Sequence, residues 1–178
     1  MVGLIDSWRR LGLWILPRSL WSFGIALAAG ATFACYMVAA DSLFFRDAIP
    51  ASIVELTAKT SAFQRIVLFT PFAIADDLIF RLGAMSAVSW VLVLIAGKRD
   101  WCFWAAILVT ALIIYPLAHY SYLAGLEPSL ASVMREIMLH GGAGILWGYL
   151  YWRFGLLAAI CGHVGAHLVL EPLMSLLI

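Results

Sequence analysis

Asp76 and Asp77, with Arg81 following, lie inside an apolar stretch that runs from Ile66 to Ala96, and His119, His163 and His167 fall in other apolar stretches. An ionised carboxylate in hydrocarbon loses much of its solvation, so acids placed there face a partner, a cavity or a reaction. Residues four apart share a helix face, so His163 and His167 point the same way and Asp77 reaches Arg81. Asp76 and Asp77 diverge by roughly 100° around the axis. One of them can therefore face a cavity while the other pairs sideways with Arg81. A carboxylate beside a histidine and away from bulk water can activate a water molecule. Two further imidazoles can donate to the oxyanion that forms on attack at a carbonyl. Those are the parts of a hydrolase.

The elements that must position these residues follow from composition. The chain is 65% hydrophobic and 12% charged, with 8 Trp among 178 residues, and its mean hydropathy is +1.01. That is a polytopic membrane protein and not a soluble domain. The expected fold is all-α: a transmembrane helical bundle of about five spans of roughly 20 residues, plus an N-terminal interfacial helix. It forms a single membrane domain over 1–178, with a catalytic core from about 64 to 178. A net charge of +1 argues against a nucleic-acid partner. Cys35, Cys102 and Cys161 have no CxxC spacing and read as small buried apolar residues.

Met1 to Arg18 is amphipathic, with Trp8, Leu11, Trp14 and Ile15 beside Arg9, Arg10 and Arg18. Ser19 to Ala40 is the first span, with small residues Ala28, Ala29, Gly30 and Ala31 suited to close helix contact. Val38, Ala39 and Ala40 resemble a signal-peptidase site only weakly, so this span is expected to be retained. Asp41 to Phe63 reads as a connection with an interfacial helix. Ile66 to Ala96 is about 31 residues, roughly 46 Å as a helix, longer than a bilayer core and expected to kink at Pro71.

Gly97 to Asp100 is a polar turn, Cys102 to Leu123 the next span, and Ala124 to Leu130 a loop containing Pro128, with Ser129 as a cap. The fourth span, Met134 to Trp152, has Gly141, Gly142, Gly144 and Gly148 on one side, and Gly144 with Gly148 forms a GxxxG contact face. Arg153 and Gly155 mark a turn before the last span, Leu156 to Leu177. Glu171 reads as interfacial and His140 as a packing residue. Basic residues sort as Arg9, Arg10, Arg18, Lys98, Arg99 and Arg153 against Arg46, Lys59, Arg65 and Arg135, which favours a cytoplasmic N-terminus. Short loops and small size suit a bacterial inner (cytoplasmic) membrane.

Asp76-Asp77-Leu78-Ile79-Phe80-Arg81 resembles the EExxxR motif of the CPBP intramembrane proteases, the group that includes the CAAX prenyl endopeptidase and the Abi and bacteriocin-processing proteins. Tyr115-Pro116-Leu117-Ala118-His119 resembles the second motif, FxxxH, and His163-Val164-Gly165-Ala166-His167 the third, HxxxN. The stretch Gly144 to Leu156 is similar to the glycine-rich helix and turn that precede the third motif. Order and gaps fit from about Phe72 to Leu168. Aspartates stand where the family pattern has glutamates, Tyr115 where it has Phe, and His167 where it has Asn. The resemblance implies that Asp76 and His119 activate water and that His163 and His167 stabilise the oxyanion. Asp77 joins the catalytic set, and Arg81 and Tyr115 support it. It implies a peptide or protein substrate near the bilayer, membrane-anchored substrates included, and no cofactor.

Two other classes share these residues. One is a non-catalytic membrane scaffold or bacteriocin-immunity protein on the same fold, since each aspartate sets its carboxylate back by roughly a bond length and errors of about 1 Å can cost on the order of 100-fold in rate. The other is a haem or metal protein in which His119 with His163 or His167 ligates the group, a divalent metal at the acid and histidine cluster being the variant left open. The zincin pattern HExxH is absent, because position 164 is Val.

Overall fold

A computed structural model describes residues 11–17, 19–126 and 129–177. Among these residues there is no strand, and seven helices form one bundle: α1 (Trp21–Leu43), α2 (Ala51–Lys59), α3 (Ala62–Ala96), α4 (Asp100–Ala118), α5 (Tyr120–Leu123), α6 (130–154) and α7 (Leu156–Leu177). Four of them, α1, α3, α4 and α7, are long and apolar enough to cross a bilayer. Phe63, Ile79, Ile95 and Leu176 on the bundle's exterior are exposed, as lipid-facing residues are. This is an integral membrane protein. Helix α6 is less apolar, with Arg135, Glu136 and His140 near its start. Its ends nevertheless reach opposite ends of the bundle: Arg135 pairs with Asp41 at the end of α1, while Gly155, just past α6, lies against Leu16.

Boundaries follow local chemistry. Ser61 accepts from the Gln64 N–H while the Gln64 side chain accepts from the Ser61 N–H, a reciprocal capping box that starts α3. Ser129 accepts from the Ser132 N–H at 3.0 Å and caps α6 as expected. Gly97 (φ 74°) and Gly155 (φ 100°) end α3 and α6 in a backbone conformation that costs other residues strain. The segment before α1 is no interfacial helix over residues 13–17. The Trp14 and Ile15 carbonyls accept from the Leu156 and Leu157 N–H groups at 2.9 and 3.0 Å, supplying partners for the first turn of α7. Leu11 and Leu13 are buried, and Trp14 and Ile15 are exposed. Residues 1–10 and 18 of that expected helix, with Pro128 of the later loop, lie outside the described residues.

Helices α1 and α7 pack most closely, as the small residues around Gly30 lead one to expect. A Cβ on Gly30 would stand 2.1 Å from the Gly162 carbonyl oxygen, so the two backbones touch. Gly144 and Gly148 press on Ala111 and Ile107 of α4, which agrees with a GxxxG face, and Gly141 meets Leu112 of the same helix; Gly142 turns instead toward Phe33 of α1. Cys102 is buried, but Cys35 is exposed on α1, against expectation.

The expected kink at Pro71 is displaced. Pro71 sits inside the α-helical part of α3, Ala62–Asp76, and the departure comes at Asp77–Met85, where the turns widen to π-helix before α geometry resumes at Ser86. Helices α4 and α6 widen likewise at Thr110–Ile114 and Ile137–Gly141. The α4 segment touches both of the others, so three helices loosen at one place. Such segments inside α-helices recur at functional sites, because each re-aims the residues around it.

Candidate functional site

A cavity of about 320 Å³ opens beside these widened turns, and Asp76, Tyr115, His119, His163 and His167 all line it. Three spans, α3, α4 and α7, thus bring the expected residues to one wall. Asp77 is apart from them: it is fully buried, and the divergence of neighbouring side chains puts it behind the wall while Asp76 faces in.

His163 is held from behind. Its Nδ1 lies 3.2 Å from Asp77 Oδ2, and Asp77 Oδ1 stands 3.2 Å from Arg81 Nε, an ion pair without hydrogen-bond alignment. Arg81 also donates to the Gly144 carbonyl at 3.5 Å. A carboxylate on Nδ1 fixes the ring's orientation and its tautomer and leaves Nε2 for the cavity. His167 repeats the pattern one turn on, with Nδ1 3.1 Å from Glu171 Oε1 and Glu171 Oε2 accepting from Arg65 Nε at 2.8 Å. The two imidazoles stack at 5.5 Å, confirming the shared face.

His119 is set differently. Helix α4 breaks at this residue (φ −102°, ψ 23°) before α5 begins, so the span expected to run on to Leu123 stops short. With its N–H at Nδ1, the ring donates to the Tyr115 carbonyl at 3.1 Å, which leaves the Nε2 lone pair free to accept a proton. The Tyr115 ring stacks on it at 4.2 Å and Phe80 of α3 packs at 5.6 Å, so two aromatics fix its plane.

Several residues read otherwise from sequence belong here. Glu171, read as interfacial, is 5% exposed and so is shielded by the bundle itself. Arg65 and Arg135, counted among loop cations, are buried, and so is Asp41, which lies within α1 and not in a connection. Arg135 donates to both Asp41 oxygens at 2.8 Å and to Glu136 at 3.1 Å. His140 packs as read, its Nδ1 2.6 Å from Glu136 Oε2, and it also lines the cavity. All four histidines of the chain therefore reach one cavity. The available signal was composition: each of these charges lies within or beside an apolar run.

Arg65 has its donors taken up by Glu171, Ser175 and the Thr57, Thr60 and Glu171 carbonyls, so it braces the wall and does not offer itself to an anion. Among the described residues no group of three His, Cys, Asp or Glu side chains converges so as to hold a metal ion. The arrangement offers acid–base chemistry: one carboxylate facing in, one imidazole with a free Nε2, and two imidazoles backed by carboxylates. No protein-family model, no curated protein and no solved structure matches this chain.

Proposed function

We propose that this chain is an intramembrane endopeptidase of the kind its three motifs resemble, cleaving a peptide bond by carboxylate-activated water. The observation that carries the reading is the gathering of Asp76, His119, His163 and His167 from three spans onto one cavity wall. Asp76 and the free Nε2 of His119 orient and deprotonate a water, whose oxygen bonds to the substrate carbonyl carbon. Negative charge passes to the carbonyl oxygen. With Nδ1–H bonded to Asp77, His163 carries a second proton on Nε2 only as imidazolium, and in that form the N–H donates to the oxyanion. His167, backed by Glu171, is built to do the same. The C–N bond then breaks as the leaving amine takes the proton that water gave up. Asp77, Arg81 and Glu171 act by positioning, and Tyr115 by holding His119.

The substrate class is a peptide or protein at the bilayer. The cavity is also lined by Ile53, Leu56 and Thr57 of α2, on the end of the bundle away from residues 11–17. Removing buried Arg65 and Arg135 from the loop count leaves Arg46 and Lys59 opposing six cations on the N-terminal side. That favours a cytoplasmic N-terminus in a bacterial inner membrane, with the cavity toward the external face.

The deciding experiment is Asp76→Asn, which keeps shape and removes charge. Cleavage of a co-expressed membrane-anchored substrate should fall at least about 100-fold while the protein still folds. Full cleavage in Asp76→Asn and in His119→Ala would end the peptidase reading in favour of a scaffold on the same fold.

A further inference from the structure

Three histidines of the cavity wall are built alike. His163 is backed by Asp77 and then Arg81, and His167 by Glu171 and then Arg65. His140, on α6, is backed by Glu136, whose Oε2 stands 2.6 Å from its Nδ1, while Glu136 Oε1 accepts from Arg135 at 3.1 Å. Two lone pairs do not face each other at 2.6 Å, so a proton lies between Glu136 and His140. A carboxylate paired with a guanidinium leaves that proton on Nδ1. Nδ1 is enclosed, yet 33% of the side chain is exposed, so the open surface lies toward the other nitrogen, Nε2. Among the described residues no protein group bonds to Nε2, and in the neutral ring it can only accept. His140 and Tyr115 are also shared with a second cavity, of about 620 Å³, between α4 and α6, so the ring stands where the two spaces meet.

We infer that His140 is a further substrate-binding residue of this cavity, its Nε2 accepting a backbone N–H of the bound peptide; this rests on the peptidase reading above. An extended peptide brings N–H groups that must be met wherever water is excluded. Among the described residues there is no strand to pair with them, so side chains have to do it. The wall's other acceptors are already engaged. Arg135 holds Asp41 and Glu136, Arg81 and His163 hold Asp77, and Arg65 and His167 hold Glu171. Asp76 and His119 serve the water, and His163 and His167 the oxyanion. Among the wall's carboxylates and imidazoles, His140 Nε2 is the acceptor that remains. The sequence gave no pointer, since His140 lies outside all three motifs.

The test uses the full chain, with 15N-labelled histidine, in lipid nanodiscs. His140→Asn and His140→Phe each identify the His140 signals by their loss; if neither folds, single replacements of His119, His163 and His167 assign them by elimination. The probes are N-methylacetamide, which carries the peptide N–H, and N,N-dimethylacetamide, which keeps the carbonyl and lacks the N–H. We expect His140 Nε2 to give the signal of an unprotonated ring nitrogen, and that signal to move upfield and saturate with the first amide and not with the second. An Nε2 that is protonated at neutral pH, or one that answers both amides or neither, overturns the inference. The outcome is separable from the peptidase reading, because binding needs no cleavage: Asp76→Asn should still give the His140 shift. Cleavage that ignores Asp76 beside a retained shift removes the peptidase and keeps the amide site; Asp76-dependent cleavage without the shift does the reverse.

Discussion

Glu171→Gln tests whether the buried charges hold the cavity wall in place. Glu171 Oε2 lies 2.8 Å from Arg65 Nε, with side chains 6% and 1% exposed. Two unit charges about 4 Å apart interact by about 4 kcal/mol at an effective dielectric constant of about 20. Removing one partner of a buried pair costs about 3–5 kcal/mol, because the survivor is left uncompensated. Arg65 keeps the Thr57, Thr60 and Glu171 carbonyls and Ser175 Oγ, so the lower end, about 3 kcal/mol, is expected. The assay is reversible unfolding in mixed micelles by titrated dodecyl sulfate, followed by far-ultraviolet circular dichroism. Arg65→Met should cost as much, and the double variant Arg65→Met/Glu171→Met should recover most of the loss, since it buries no charge. The reasoning fails if Glu171→Gln falls within about 0.5 kcal/mol of the parent, the range of an ordinary surface change.

Other substitutions probe packing and the second charge pair. Gly30→Ala places a Cβ on the Gly162 carbonyl, a backbone atom that cannot step aside, and should destabilise by about 3 kcal/mol or more. Gly24→Ala, whose Cβ would meet only Trp21 at 3.8 Å, should be neutral or slightly stabilising in the same unfolding titration, and equal effects at the two sites would count against close α1–α7 contact. Gly144→Leu forces a Cβ to 2.8 Å from that of Ala111 and toward Arg81, so both stability and cleavage should drop; an unchanged melting temperature and rate would mean that the α4–α6 contact yields freely. Arg135→Met leaves Asp41 buried and unpaired and should cost about 3–5 kcal/mol, with Asp41→Leu restoring much of it, as thermal melts in detergent would register.

The parts of this fold legible in sequence were those that depend on near neighbours. Ser129, Gly97 and Gly155 announced their helix ends, and Leu156–Leu177 is the last helix as read. The shared face of His163 and His167, and the divergence of Asp76 from Asp77, needed only helical geometry. The widened turns were not legible, because a π segment depends on what the helix packs against and has no composition of its own. Nor was the status of Glu171, Arg65, Arg135 or Asp41. A charge near a span end looks interfacial until its partner is known, and here the partners lie far along the chain. For His140 the contact with Glu136, one turn away, follows from helical geometry, but the cavity beyond it does not.

That distance has a consequence for biosynthesis. Asp41 and Arg135 are 94 residues apart, Arg65 and Glu171 are 106, and Asp77 and His163 are 86. In each pair the earlier member enters the membrane long before the later one is translated. Asp77 waits beside Arg81 of its own helix, but Asp41 must stay protonated or reach for the headgroups and Arg65 must reach for them or remain beside the insertion machinery, because hydrocarbon does not tolerate either ionised and alone. The Arg65 and Asp77 pairings both close on α7, whose first turn is itself capped by residues 14 and 15. Two of the three pairs, and the cap of α7 itself, therefore cannot form until α7 is in place. A ribosome stalled before α7 would leave Arg65 without its carboxylate and the chain open to quality-control proteases, so a nascent chain should be degraded until α7 arrives and resistant soon after.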